Sequence, residues 1–277
     1  MDIDTLIFSG GGPSGIAYTG VFQALLDENI LERDLDGIKD IITTSVGILF
    51  SFCVMLKMDN RVTWEVVKKF NMNTLLNMDS LCIDDLLVDS GLFETTGIRD
   101  IFQSLCKNIL QRDDISLHDL YELTNIKLSV KVFNLTTSTL EFISHDTHPD
   151  LSITTLAQMT TAIPLFFKPV PYLESIYCDG GFRQGYPYGY DPSPQYLGIK
   201  VKGGCGIGWA QEMPLFNTIY SLITGTDERP DQGKTDIRII DIEPNLGLDF
   251  DIDDATKQQV VDHAYRETIK HIHTHFI

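Results

Sequence analysis

Two short apolar runs, each closed by a turn of small residues and each followed by an apolar helix, open this chain and restrict its fold more than anything after them. Thr5-Leu6-Ile7-Phe8-Ser9 runs into Gly10-Gly11-Gly12-Pro13-Ser14-Gly15, after which Ile16, Val21 and Leu25 recur at helical spacing with Tyr18, Phe22 and Leu26. Ile38 to Thr43 is a second β-branched run, turning at Ser45-Val46-Gly47 into the apolar stretch Ile48 to Leu56. Strand, turn and helix repeated at once call for two parallel strands with crossover helices packed on the sheet. The expected class is α/β, a central, mostly parallel sheet flanked by helices in three layers.

The rest of the chain extends that plan. From about 58 to 123 β-branched runs are scarce and helical spacing dominates, with Asp89-Ser90 and Ser116 as expected caps, so a helical insertion or cap is predicted. Ile126 to Leu135 and Leu140 to Ile143 read as a hairpin, and Ser152 to Ile163 as a helix stopped by Pro164, with extended loop to Pro171. Tyr196 to Val201 and Ile237 to Ile242 read as strands around a helix near Met213–Ile223; Asp253 or Asp254 caps a last helix towards His275. With no repeat or linker, residues 1–277 are expected to form one domain, ending in an acidic segment at about 225–277.

Composition then excludes partners. With 39 acidic against 21 basic residues the net charge is -18. The longest basic run is Lys68-Lys69, which argues against nucleic acid and against strongly anionic membranes. Ile41 to Leu56 is uncharged, but it is shorter than the ~20 residues of a membrane span and is broken by Thr43-Thr44-Ser45 and Gly47. Met1-Asp2-Ile3-Asp4 lacks the basic start of a signal peptide. Cys53, Cys82, Cys106, Cys178 and Cys205 form no CxxC pair, which suits the cytoplasm or another reducing compartment. A soluble chain, in contact with membranes at most peripherally, is the expectation.

Ser45 lies at the sharp passage from strand to helix. There a serine hydroxyl stands above the sheet edge in front of a helix N-terminus, the arrangement of the nucleophile elbow G-x-S-x-G. The chain reads Thr43-Thr44-Ser45-Val46-Gly47, with Thr43 for the first glycine, and an ordinary polar turn fits the same residues. The glycine loop fits two templates. As G-x-G-x-x-G it is a dinucleotide fingerprint, yet that requires an acidic residue where the second strand ends in Thr43-Thr44-Ser45. As an oxyanion hole it needs only backbone N–H groups beside a nucleophile, and a neighbouring strand ending in Ser45 supplies one. A base for Ser45 is less obvious, since His118, His145, His148, His263, His271, His273 and His275 all lie outside small-residue turns at strand ends. Tyr177-Cys178-Asp179-Gly180-Gly181 places a carboxylate on a tight turn after a β-prone run, and a plain Asp-Gly-Gly turn reads the same.

Taken together in this order, the glycine loop, Ser45 and Asp179-Gly180-Gly181 resemble the patatin-like phospholipase family. Its members carry G-G-G-x-[RK]-G after the first strand, G-x-S-x-G after the second and D-G-[GA] late in the domain. The resemblance covers about residues 3 to 190, and Ala162-Ile163-Pro164 is similar to the family's small-x-Pro segment. It implies a lipid acyl hydrolase of phospholipase A type working through an acyl-enzyme, without cofactor or metal. By position it makes Ser45 the nucleophile, Asp179 the sole base, and Gly10, Gly11 and Gly12 the oxyanion hole. Gly15, Thr43, Gly47, Gly180 and Gly181 would support the two turns. It further implies a phospholipid or other lipid ester as substrate and leaves a protein activator open. Ser14 stands where the family has Arg or Lys, Pro13 removes an amide donor, and Gly185 replaces a common Asn. Thr43 and Ser14 keep a catalytically silent binding module as another reading. A Ser-His-Asp esterase, with His263 as the residue to test, is a further alternative.

Weaker signals read as structure. Asp249 to Asp254 opens like an EF-hand loop, but Asp254 and Val260 stand where Gly and Glu are required. His271, His273 and His275 read as a frayed cationic helix end. Leu75-Leu76-Asn77-Met78 with Leu81, Ile83, Leu86 and Leu87, and Leu165-Phe166-Phe167, suit an acyl-chain tunnel, a lipid-facing cap or simply core.

Overall fold

The computed structural model describes residues 2–69, 88–181, 185–202, 236–244, 246 and 252–277. Both opening units form. Strand β1 (Thr5–Phe8) leads through a 3-10 turn (Gly12–Ile16) into α1 (Ala17–Asp27), and β2 (Asp40–Thr44) leads into α2 (Gly47–Met55). The two strands pair in parallel with Phe8 opposite Thr43, so the glycine loop and Ser45 leave the sheet side by side. Strand β4 (Lys127–Asn134) adds in parallel beyond β2, while β9 (Tyr196–Val201) and β10 (Ile239–Ile242) add in parallel beyond β1. Antiparallel β8 (Ser175–Asp179) and β7 (Val170–Tyr172) complete the order β10-β9-β1-β2-β4-β8-β7, and β5 (Thr139–Ile143) makes the expected hairpin with β4.

One edge of β4 serves two strands. Because β5 occupies the other edge over Val130 to Asn134, both β2 and β8 must lie on the remaining one. Running parallel to β4, β2 ends with Thr44 opposite Lys131; running antiparallel, β8 ends with Asp179 opposite Val132. Their C-terminal ends therefore meet head to head at the Lys131–Val132 peptide.

Strand alternation divides the core. Leu6, Phe8, Ile41, Leu128, Val130 and Val132 join the large cluster with α1, α2 and α6 (Ile153–Thr161). Ile7 and Ile42 face a smaller one with Tyr186 and Ile239, against which Phe142, Tyr188, Tyr190 and Tyr196 pack. The last helix, α7 (Asp254–His275), lies against α1, and Asp253 caps it by accepting the Thr256 N–H at 2.7 Å. From α7 the buried Lys257 donates to the Lys68 carbonyl at 2.7 Å, a cation on the negative end of α3 (Asn60–Lys68).

The expected insertion is not purely helical. It holds α3, α4 (Thr96–Leu105) and α5 (Leu117–Thr124, capped by Ser116), but Gly91–Phe93 is a strand, β3, paired in parallel with β6 (Leu165–Phe167). Asp89-Ser90 thus precedes a strand, and α4 starts after Thr95. The loop expected at Pro164 to Pro171 likewise contains β6 and the start of β7. Strands of three residues complete too few alternations to be read from periodicity. The helix expected near Met213–Ile223 and the apolar cluster from Leu75 to Leu87 lie outside the described residues. Among the described residues no helix is long and apolar enough to cross a membrane.

Candidate active site

Ser45 and Asp179, 134 positions apart, meet where β2 and β8 abut. Ser45 Oγ donates to Asp179 Oδ2 at 2.6 Å, and both residues are buried. Ser45 occupies the left-handed region at φ 52, unusual for serine, which is how the chain turns from β2 into α2 within two residues and lifts the hydroxyl off the sheet. Gly47 permits that turn: a Cβ there would collide with Thr43 Oγ1 and sit 2.8 Å from the Ser9 carbonyl. The crossing with the glycine loop is equally close, since a Cβ on Gly15 would lie 2.8 Å from Val46 Cγ1 and one on Gly10 would lie 3.0 Å from Ser45 Cβ.

A hydroxyl that sequence reasoning passed over holds the turn from below. The Ser45 N–H donates to Thr160 Oγ1 at 2.9 Å, and Thr160 Oγ1 donates onward to the Lys131 carbonyl at 2.8 Å. Thr160 thereby ties the elbow to the β4 peptide where the two strand ends meet. Nothing local in the sequence marks it: it is one threonine inside a helix, four residues before Pro164.

On the other side Asp179 Oδ1 accepts the Gly181 N–H at 2.6 Å, and the Asp179 N–H donates to the Ala162 carbonyl at 2.9 Å. Gly180 packs onto the Lys131 carbonyl, where a Cβ would come within 2.6 Å. Burial pushes the Asp179 carboxyl up to about 6, although hydrogen bonds from Ser45 and Gly181 and the Lys131 ammonium pull the other way. Lys131, within the stretch read from sequence as one arm of a hairpin, is fully buried, and its charge acts on that carboxylate.

The glycine loop divides. Gly10 departs from expectation, because its N–H is committed to the Gly185 carbonyl at 2.8 Å and is unavailable as an oxyanion donor. The amides of Gly11 and Gly12 donate to no acceptor among the described residues. Gly12, at φ 53, lines a cavity of about 70 Å³ together with Ser45. Its other walls are almost wholly apolar: Ile16, Leu49, Phe102, Ile163 and Phe167 among them. Phe167 is thus a wall residue, and its neighbour Phe166 is buried core. Ser14, at the position of the family pattern's Arg or Lys, is fully buried.

No histidine hydrogen-bonds Ser45 or Asp179 among the described residues. His263 sits on α7, His145 stacks on Tyr121 with centroids 3.9 Å apart, and His273 pairs with Glu28. His271 corrects the frayed helix end: it is hydrogen-bonded to the Ile237 carbonyl at 2.8 Å, and burial lowers its pKa, so it favours the neutral form. Cys53, Cys106 and Cys178 are buried free thiols, and among the described residues no group of three His, Cys, Asp or Glu side chains could hold a metal.

A mostly parallel sheet with a strained serine and a buried aspartate at its strand ends, beside an apolar cavity, defines an α/β protein with a serine at a strand-to-helix elbow. Within that class the chain belongs to the patatin-like phospholipase family, whose profile matches residues 6–190. A relative named "Probable lipid hydrolase 463L", from Invertebrate iridescent virus 6, is 25% identical over 183 residues, covering 66% of this chain and 61% of that protein. The chain therefore spans less than two thirds of that relative's length. Among solved structures, VipD from Legionella pneumophila matches 99% of this chain and 67% of its own, with TM-score 0.67 and 18% identity. Full-length ExoU from Pseudomonas aeruginosa, solved in complex with SpcU, matches 99% and 53%, with TM-score 0.53 and 16% identity. At such identity these two share the fold.

Proposed function

We propose that this protein hydrolyses carboxylic esters of phospholipids or related lipids through a Ser45–Asp179 dyad. The observation that carries the reading is the 2.6 Å hydrogen bond from Ser45 Oγ to Asp179 Oδ2 beside an apolar cavity. Ser45 Oγ attacks the ester carbonyl carbon while its proton passes to Asp179, and the carbonyl oxygen takes up the negative charge. The Gly11 and Gly12 amides, the loop donors with no other acceptor among the described residues, stabilise that oxyanion. Collapse of the tetrahedral intermediate expels the alcohol, which leaves with the proton from Asp179. Water then attacks the acyl-enzyme, gives a proton to Asp179 and releases the fatty acid, after which the proton returns to Ser45 Oγ. The apolar walls suit an acyl chain, and an aspartate whose pKa is raised towards neutrality suits a base that must both take and return a proton.

Membership of the family and the relative's name support a lipid substrate. By analogy with the ExoU–SpcU complex, a protein partner remains compatible with the fold. The test is a fluorophosphonate probe followed by a lipid panel scored by released fatty acid. A Ser45 adduct and fatty-acid release are expected from the native protein, and neither from Ser45→Ala. Well-folded native protein that takes no label sinks the hydrolase reading in favour of a silent binding module. Loss of activity in His263→Ala with retention in Asp179→Asn replaces the dyad by a triad.

A further inference from the structure

Four of the exposed large apolar side chains cluster at one corner of the sheet: Leu173 at 82%, Ile176 at 46%, and Leu135 and Leu140 at 41% each. Backbone pairing brings them together. Leu140 lies opposite Phe133 in the β4–β5 hairpin, Phe133 lies opposite Cys178, and the Leu135 N–H donates to the Ile176 carbonyl at 2.8 Å. By strand alternation Phe133, Leu140 and Ile176 share one face. Leu173 heads the two-residue loop between β7 and β8 with φ 53, a conformation that asparagine or glycine adopts more cheaply than leucine. The surroundings are hydroxyls: Thr136, Thr137, Ser138 and Thr139 in one turn and Ser175 in the other. Across the two turns, residues 135–140 and 172–176, Glu174 is the only charge.

We infer that this corner is the surface by which the protein docks on a lipid bilayer, with Leu173 and Ile176 entering the boundary between headgroups and acyl chains. The inference rests on the lipid-ester reading above. A chain of net charge -18 gains no electrostatic attraction from a membrane, so adsorption must come from uncharged apolar contact, and this corner offers it. The tip also stands at the chemical end of the sheet. Strand β8 runs from it directly to Asp179, six residues of extended chain or about 20 Å away.

The test is flotation of Ser45→Ala protein, which cannot consume the lipid, with phosphatidylcholine vesicles. Parent protein is expected to bind, Leu173→Ser and Ile176→Ser each to weaken binding on the order of tenfold, and Leu123→Ser, at 57% exposure on α5, to leave it unchanged. In the Ser45 background the same tip substitutions are expected to lose vesicle hydrolysis but keep turnover of a short-chain ester in free solution. Absence of parent binding, tip variants that bind as the parent does, or an equal loss in Leu123→Ser overturns the inference. So does a loss of short-chain turnover matching the vesicle loss. Vesicle binding that depends on the tip in a protein that cleaves no ester upholds the docking surface and sinks the hydrolase reading instead.

Discussion

Asp179 carries a cost that the proposed base role would explain. Its pKa is raised to about 6 by burial, above the ~3.9 of a free aspartate, so the folded chain holds this proton longer than the unfolded one. The contribution to stability is fully present below about pH 4 and is lost as pH rises through about 6. Two outcomes follow from the one shift. Esterase activity is expected to climb through about pH 6 as Asp179 ionises, which a kcat/KM profile on a short-chain ester would read. Asp179→Asn is expected to abolish that activity yet to melt higher than the native protein at about pH 8, by up to roughly 3 kcal/mol, and to match it near pH 4. A variant that melts lower at both pH values places the aspartate's role in structure alone. Thr160 is the complementary case, a side chain that holds the Ser45 turn through its backbone N–H. Thr160→Val removes the acceptor of the Ser45 N–H and the donor to the Lys131 carbonyl, a loss of about 1–3 kcal/mol, whereas Thr160→Ser keeps both. Fluorophosphonate labelling should slow in the first and recover in the second. Equal labelling in all three shows that the elbow holds its geometry unaided.

At the level of elements, the same proximity rules decide both what was legible and what was not. The strands bearing the glycine loop and Ser45 could be read because each is an apolar run ended by small residues, and small residues mark places where backbones cross. The Asp179 turn could be placed by the same token. That Ser45 and Asp179 would touch was not contained in any local pattern, since it depends on β2 and β8 sharing one edge of β4. Gly10 misled because a glycine signals close approach without saying whether its amide stays free; here Gly185 takes it. Thr160 was invisible for a simpler reason, as a threonine inside a helix has no local signature for a bond to an elbow 115 residues away. Close approach can itself be tested at the α1–α7 contact. A Cβ on Gly20 would overlap the Val261 carbonyl and press on the Tyr265 N–H. Gly20→Ala must therefore force the helices apart, although alanine favours the helix itself by about 1 kcal/mol. A net destabilisation of about 1–3 kcal/mol is expected in thermal or denaturant melts, against the gain that propensity alone would give. A stabilised variant would mean that α7 is free to shift on α1.

Across the whole molecule, the excess of 39 acidic over 21 basic residues changes from an exclusion into a quantity that a membrane would feel. An anionic surface repels the chain over a Debye length, about 10 Å at 0.1 M salt and about 3 Å at 1 M, whereas apolar insertion at Leu173 and Ile176 acts on contact and is little affected by salt of that strength. The two terms separate in one titration. Partition to vesicles is expected to fall steadily as anionic lipid replaces phosphatidylcholine at low salt, and the slope is expected to flatten towards zero near 1 M salt. The phosphatidylcholine end point should barely move, because no net charge is faced there. Tighter binding with more anionic lipid would contradict the picture at its root. It would require basic side chains gathered on one surface strongly enough to outweigh the net charge, and a docking surface other than this corner, whose one charge is Glu174.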